Sequence, residues 1–171
     1  MSASREVKWQ GKFVTAIKDG RWEYVERTGR VTAVVILAEY EGKFVLVEQP
    51  RVPTKRRCLE LPAGLIGDVG EDDNVEVAAR RELEEETGFF AERIELLGEF
   101  YSAPGILAES FTLVRATGLK RVGAGGGVDG EDIVTHLVPR GEIAEFVAAK
   151  RAEGVGMDAK LLILLGAGLT R

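Results

Sequence analysis

Residues 31–38 (VTAVVILA) form an almost continuous apolar run, the pattern of a central strand buried on both faces. The Glu41-Gly42-Lys43 turn leads into a second strand at 44–48 (FVLVE). Ahead of this pair, residues 21–28 (RWEYVERT) alternate well enough to predict another strand. Residues 50–73 hold Pro53, Pro62, Gly64, Gly67 and Gly70, which predicts a loop broken only by a short strand at 59–61. The period then changes. Val75, Ala78, Ala79 and Leu83 recur at helical spacing across residues 74–87, Asp73 can N-cap the helix with Glu76 three residues later in a capping-box pattern, and Gly88 is placed to stop it. Strands are expected at 93–101, 110–116 and 132–138. The glycine-rich residues 123–130 (GAGGGVDG) read as a mobile loop, because no helix start or GK[ST] follows to make them a phosphate cradle. Helices at 142–152 and 158–165 close the chain. This order predicts an α/β fold, a mixed sheet sandwiched by helices.

The length, 171 residues, fits one domain with a small appended arm and buries a sizeable core without staples. Hydrophobic residues make up 45% and charged residues 30%, the balance of an ordinary globular protein. A net charge of −5 argues against nucleic acid or an anionic membrane as partner, since both attract basic surfaces. An acidic protein still binds an anionic substrate where a metal bridges the two. One cysteine, Cys58, excludes an intrachain disulfide and reads as a buried thiol; the one histidine, His136, lies far from it in sequence. Residues 1–11 lack the apolar core of a signal peptide, and the apolar stretch at 161–165 is too short to span a bilayer. A cytoplasmic location is expected.

The chemistry is concentrated in residues 81–89 (RELEEETGF). On a helix Glu82, Glu85 and Glu86 fall at i, i+3 and i+4 and share one face, while Leu83 points elsewhere into the core. Like charges at these spacings cost roughly 0.2–0.5 kcal/mol per pair, a repulsion that a hard divalent cation with oxygen ligands offsets. Taken alone, such a run is a solvated acidic face. Its frame changes the reading: Leu61-Pro62-Ala63-Gly64 precedes it, and Gly88-Phe89 ends it.

In this frame the sequence resembles the Nudix hydrolases, whose box is G-x5-E-x7-R-E-U-x-E-E-x-G-U with U bulky and apolar. Residues 81–89 match its second half at every specified position. The first half departs from the pattern. From Gly64 the distance to Arg81 is three residues too long; from Gly67 it is right, but Asp73 replaces the expected glutamate. The loop before the helix is therefore expected to be enlarged. The resemblance implies a Nudix-type α/β/α sandwich with a mixed β-sheet (residues 30–171) and an N-terminal β arm (residues 1–29). It makes Glu82 and Glu86 the principal metal ligands, Glu85 a further ligand or water-orienting base, and the Ala63 carbonyl another ligand. Arg81 is implied to orient a glutamate. The metal implied is Mg²⁺, with Mn²⁺ as a possible substitute.

Further stretches resemble the ADP-ribose pyrophosphatase group of that family. Pro104 lies sixteen residues after Gly88, Val47-Glu48-Gln49-Pro50-Arg51 resembles its V-x-Q-x-R segment, and Glu60-Leu61-Pro62-Ala63-Gly64 matches its E-L-P-A-G. By this resemblance Arg51 contacts substrate, with Glu60 and Glu109 on the substrate side. Glu109 also fits an exposed strand-end acid. Trp22 resembles an aromatic residue that stacks on adenine, in some members across a dimer interface, and it equally fits the core. Phe13 is a second stacking candidate. In the late loop Glu131, with Asp129 next, corresponds to a glutamate that helps bind metal or activates water. The implied activity is Mg²⁺-dependent hydrolysis of a nucleotide sugar's diphosphate by a homodimer, with ADP-ribose giving AMP and ribose 5-phosphate. The alternatives are GDP-mannose, a dinucleoside polyphosphate or an oxidised nucleotide as substrate, or a non-catalytic nucleotide-sugar sensor on the same fold.

Overall fold

The apolar run of residues 31–38 becomes β4 (Thr32–Tyr40), whose buried side chains divide by parity between two cores. Val34, Ile36 and Ala38 face one core, and Val35 and Leu37 face the other. The same alternation continues in β5 (Lys43–Arg51), with Val45 in the first core and Phe44 and Leu46 in the second. A strand covered on both faces needs apolar residues at every position, which is why the sequence shows no polar alternation there.

The computed structural model describes residues 5–29, 31–67, 73–128 and 130–166. Helix α1 (Val75–Thr87) covers the first core with Ala78, Ala79 and Leu83, packed against Phe89 and Ala91 at the start of β8 (Phe89–Tyr101). Ile143 and Val147 of α2 (Ile143–Ala152), with Leu161 and Leu164 beyond it, cover the second. The result is the expected α/β/α sandwich around a mixed sheet. Leu83 is fully buried, which stabilises by about 1.5–3 kcal/mol. That outweighs the roughly 0.2–0.5 kcal/mol per like-charge pair among the α1 glutamates.

In the main sheet, β4 runs parallel to β9 (Ser110–Arg121), which pairs antiparallel with β8. On the other side β5 pairs antiparallel with β6 (Arg56–Glu60) and β10 (Val134–Pro139). Within the stretch expected to be mostly loop, β6 covers more than the short strand at 59–61, and β7 (Ala63–Ile66) pairs antiparallel with β4. Pro53 lies in a 3₁₀ turn before β6, Pro62 between β6 and β7, Gly64 within β7 and Gly67 just after it, while Gly70 lies outside the described residues. The two-residue β11 (Gly156–Met157) runs parallel to β6.

Three differences from the sequence expectation have local causes. Asn74, not Asp73, caps α1: its Oδ1 accepts the Glu76 and Val77 N–H groups at 3.0 and 3.2 Å. Asp73 instead accepts from Gly67 N–H at 2.8 Å. The last helix shrinks to a 3₁₀ turn at Ala159–Leu161 followed by α3 (Leu162–Leu165). Before β3 (Trp22–Arg27) lie two unforeseen strands, β1 (Arg5–Gln10) and β2 (Val14–Asp19). The three make a separate antiparallel sheet, and β1 is exposed at every position, so no apolar pattern marks it. Val25 joins this sheet to the main body, donating to the Ile106 carbonyl and accepting from Ala108 N–H, both at 2.9 Å. Among the described residues no helix is long and apolar enough to cross a membrane.

Candidate active site

Glu82 and Glu86 stand one turn apart on α1 and line a cleft of about 510 Å³. Ala63 and Gly64 of β7 form the adjoining wall. A Cβ on Gly64 would fall 1.8 Å from Glu82 Cδ, so this glycine makes room for the carboxylate. Arg81 bonds Glu82 at 2.6 Å, the Leu65 carbonyl at 3.0 Å and Asp73 at 3.3 Å. It therefore orients Glu82 and ties the start of the helix to β7. Asp73, where the box has glutamate, sits in this linkage.

Glu86 is only 6% exposed. Burial pushes its carboxyl up to about 8; the Ala63 N–H bond at 3.1 Å opposes the rise, Glu82 and Glu131 add to it, and Arg51 offsets part. A hard cation would remove this repulsion, and the carboxylate oxygens are the donors such a cation takes. Glu82 and Glu86 thus fit a divalent metal, although among the described residues no three such side chains form a ready-made cluster.

Across the cleft, Arg51 is gripped by Glu60 through two bonds of 2.7 and 2.8 Å. Glu60 is 5% exposed and lines the cleft behind the guanidinium. Arg27 and Glu109 pair at 2.8 Å and line the cleft together, so Glu109 is not a merely solvated acid. Lys160 enters from the 3₁₀ turn at the chain's end, paired with Asp158 at 2.6 Å and 5.8 Å above the Phe111 ring. Neither Arg27 nor Lys160 was marked by any motif; only the fold brings them to the acidic wall.

Glu131 also lines the cleft, its carboxylate accepting Val128 N–H at 3.2 Å. Asp129 lies outside the described residues. The glycine-rich loop, expected to be mobile, is docked on the end of α1: Gly126 and Gly127 N–H donate to the Glu86 and Glu85 carbonyls at 3.0 and 2.9 Å. Gly125, at φ +70°, has no room for a side chain, since a Cβ there would lie 2.5 Å from the Thr87 carbonyl carbon. These glycines cap a helix C-terminus rather than cradle a phosphate.

Glu85 does not line the cleft; its carboxylate lies 3.7 Å from Arg81. Trp22 is 55% exposed and so outside the core, lining a second cavity of about 630 Å³ with Tyr24, Pro104 and Gly105. The two cavities share Leu107. Phe13 is 66% exposed and belongs to neither.

Comparison with known proteins agrees with this geometry. The NUDIX domain model matches residues 28–152. The chain is 36% identical over 130 residues to the methanol dehydrogenase activator of Bacillus methanolicus, covering 75% of this chain and 68% of that one. It is 38% identical over 92 residues to the ADP-ribose pyrophosphatase of Bacillus subtilis, covering 54% and 47%. With the GDP-mannose pyrophosphatase of an Enterobacter species it shares 33% over 145 residues, covering 80% and 72%. The solved structure of an ADP compounds hydrolase has the same fold, with a TM-score of 0.71 at 20% identity over 96% of this chain and 91% of that one. With Glu82 and Glu86 of the box lining one cleft and the family model matching residues 28–152, the chain belongs to the NUDIX pyrophosphohydrolases.

Proposed function

We propose that the protein hydrolyses the diphosphate of a nucleoside diphosphate sugar, with ADP-ribose as substrate and Mg²⁺ as the metal. The observation that carries this reading is the single cleft in which Glu82 and Glu86 face Arg51, with the Trp22–Pro104 cavity adjoining at Leu107. A diphosphate fits between the acidic wall and Arg51, and a base beside Trp22 lies within the same ligand.

Glu82, Glu86 and the Ala63 carbonyl, with Glu85 as a further ligand, would hold divalent cations, which would supply charge neutralisation and acidification of the attacking water. Arg51, fixed by Glu60, neutralises the remaining phosphate charge as a planar two-point donor. Water attacks one phosphorus, the bridging P–O bond breaks, and Glu131 takes the water's proton. The products are AMP and ribose 5-phosphate. The reading includes a homodimer formed through the N-terminal arm, which the exposed Val7 and Trp9 support.

A second substrate, GDP-mannose, is favoured by the long match to GDP-mannose pyrophosphatase. Purified protein with Mg²⁺ is assayed against ADP-ribose, GDP-mannose, diadenosine polyphosphate and 8-oxo-dGTP. AMP is expected fastest from ADP-ribose, and its release is expected to stop with EDTA. Faster turnover of GDP-mannose replaces the substrate and keeps the mechanism. Binding without turnover of any compound overturns the hydrolase reading in favour of a sensor.

A further inference from the structure

Glu131 reaches the cleft from a loop between β9 and β10, outside any helix or strand, so its placement depends on what anchors that loop. On one side the anchor is the end of α1, through the Gly126 and Gly127 N–H groups. On the other side it is Arg57 of β6. Arg57 Nη1 donates to the Asp132 carboxylate at 2.6 Å, and Nη2 donates to the Asp132 carbonyl at 3.0 Å. The same guanidinium is fixed from behind by Glu48, bonding its carboxylate through Nε and its carbonyl through Nη2, both at 2.8 Å. Glu48 is 6% exposed and is itself held by Lys150 at 3.0 Å and His136 at 3.1 Å. A guanidinium gripped on one edge by a buried carboxylate presents its other edge in a defined direction. That edge meets the residue directly after Glu131.

We propose that Arg57 is a positioning residue for the reaction: through Asp132 it holds Glu131 over the cleft and so sets the efficiency of proton removal from water. The inference rests on the reading of Glu131 as the proton acceptor. The Asp132 side chain is 70% exposed, so the fold has little need of its ion pair. The pair's value lies in the loop conformation, because a base displaced by about 1 Å loses much of its effect.

The test is a double-mutant cycle of Asp132→Ala and Glu131→Gln, with kcat, KM and melting temperature measured for each variant. Asp132 is chosen because Arg57→Ala also strips a cation from buried Glu48 and can unfold the protein. Asp132→Ala is expected to lower kcat about tenfold, part of the roughly 10²–10⁴ that a positioned base contributes, with KM and melting temperature unchanged. In the Glu131→Gln background the same change is expected to have no further effect on kcat, because the group it positions is gone. Arg57→Lys, which keeps the charge but loses the second donor edge, is expected to fall between wild type and Asp132→Ala. If Glu131→Gln is costly and Asp132→Ala is silent, or lowers kcat equally in both backgrounds, the positioning role is overturned and the proposed hydrolase stands. An unchanged rate in Glu131→Gln overturns the inference at its base, and the Glu131 assignment with it.

Discussion

The Ala63 amide donates to the Glu86 carboxylate at 3.1 Å, joining the strand before the helix to the helix's last acidic turn. This bond and burial act on one carboxyl in opposite directions, and burial wins, leaving Glu86 at about 8. Glu86→Gln therefore resembles the protonated form that the buried site prefers. It is expected to lower kcat by at least about 100-fold while the melting temperature at pH 7 does not fall. Steady-state kinetics and a thermal melt on the same preparation decide this. An unchanged kcat removes Glu86 from the reaction.

A cation at this site competes with a proton. Because the folded-state value is raised from 4.5 to about 8, ionising Glu86 costs the metal-free protein stability as pH rises through that window, and the cost is complete above about pH 8. Metal binding relieves it. Mg²⁺ is expected to raise the melting temperature more at pH 8.5 than at pH 6, and calorimetry at pH 7 is expected to show proton release on binding. Equal shifts at both pH values would show that the metal does not use this carboxyl.

Much of this site was legible in the sequence because the box encodes one helix turn: Glu82, Glu86 and Leu83 are separated by spacings that a helix converts directly into faces. Arg51, Glu60 and Ala63 followed from short stretches that resemble the ADP-ribose pyrophosphatase group. What sequence could not show was any contact made by sheet register. Arg27 and Lys160 lie far from the box, and only the joining of β3 to the Ile106–Ala108 segment, and of β11 to β6, carries them to the cleft. The edge strand β1 was missed for a different reason. With β1 wholly exposed, there was no buried face to impose a period of two.

Gly64 offers a separation of metal affinity from stability. The three atoms nearest an added Cβ belong to the Glu82 side chain, which can swing aside. Gly64→Ala is therefore expected to leave the melting temperature within about 2 °C while raising the Mg²⁺ concentration for half-maximal rate by about tenfold, one 1.4 kcal/mol step. A variant that loses stability and keeps its metal dependence would instead mean that β7 moves and Glu82 stays.

Acid stability depends on a different carboxyl. Burial alone would raise Glu48, but hydrogen bonds from Lys150, Arg57 and His136 outweigh it and bring the group down to about 2. A carboxyl lowered from 4.5 to about 2 contributes on the order of 3 kcal/mol. That stability is present in full above pH 4.5 and is lost as pH falls from 4.5 towards 2. Denaturant melts across this range are expected to show wild type losing stability more steeply than Glu48→Gln, the two curves converging at the acid end. Parallel curves would show that Glu48 does not titrate with unfolding.

Trp22 tests the nucleoside end of the ligand independently of the metal. Its side chain is more than half exposed, so Trp22→Ala removes little packing and the melting temperature is expected to hold. Stacking of a base on an aromatic ring is worth about 1–3 kcal/mol, so KM for ADP-ribose is expected to rise at least fivefold with kcat nearly unchanged. The same variant separates the two candidate substrates by where each places its base. If only one of ADP-ribose and GDP-mannose loses affinity, that substrate uses the Trp22 cavity and the other binds elsewhere. If neither does, the cavity beside Leu107 is not part of the substrate path.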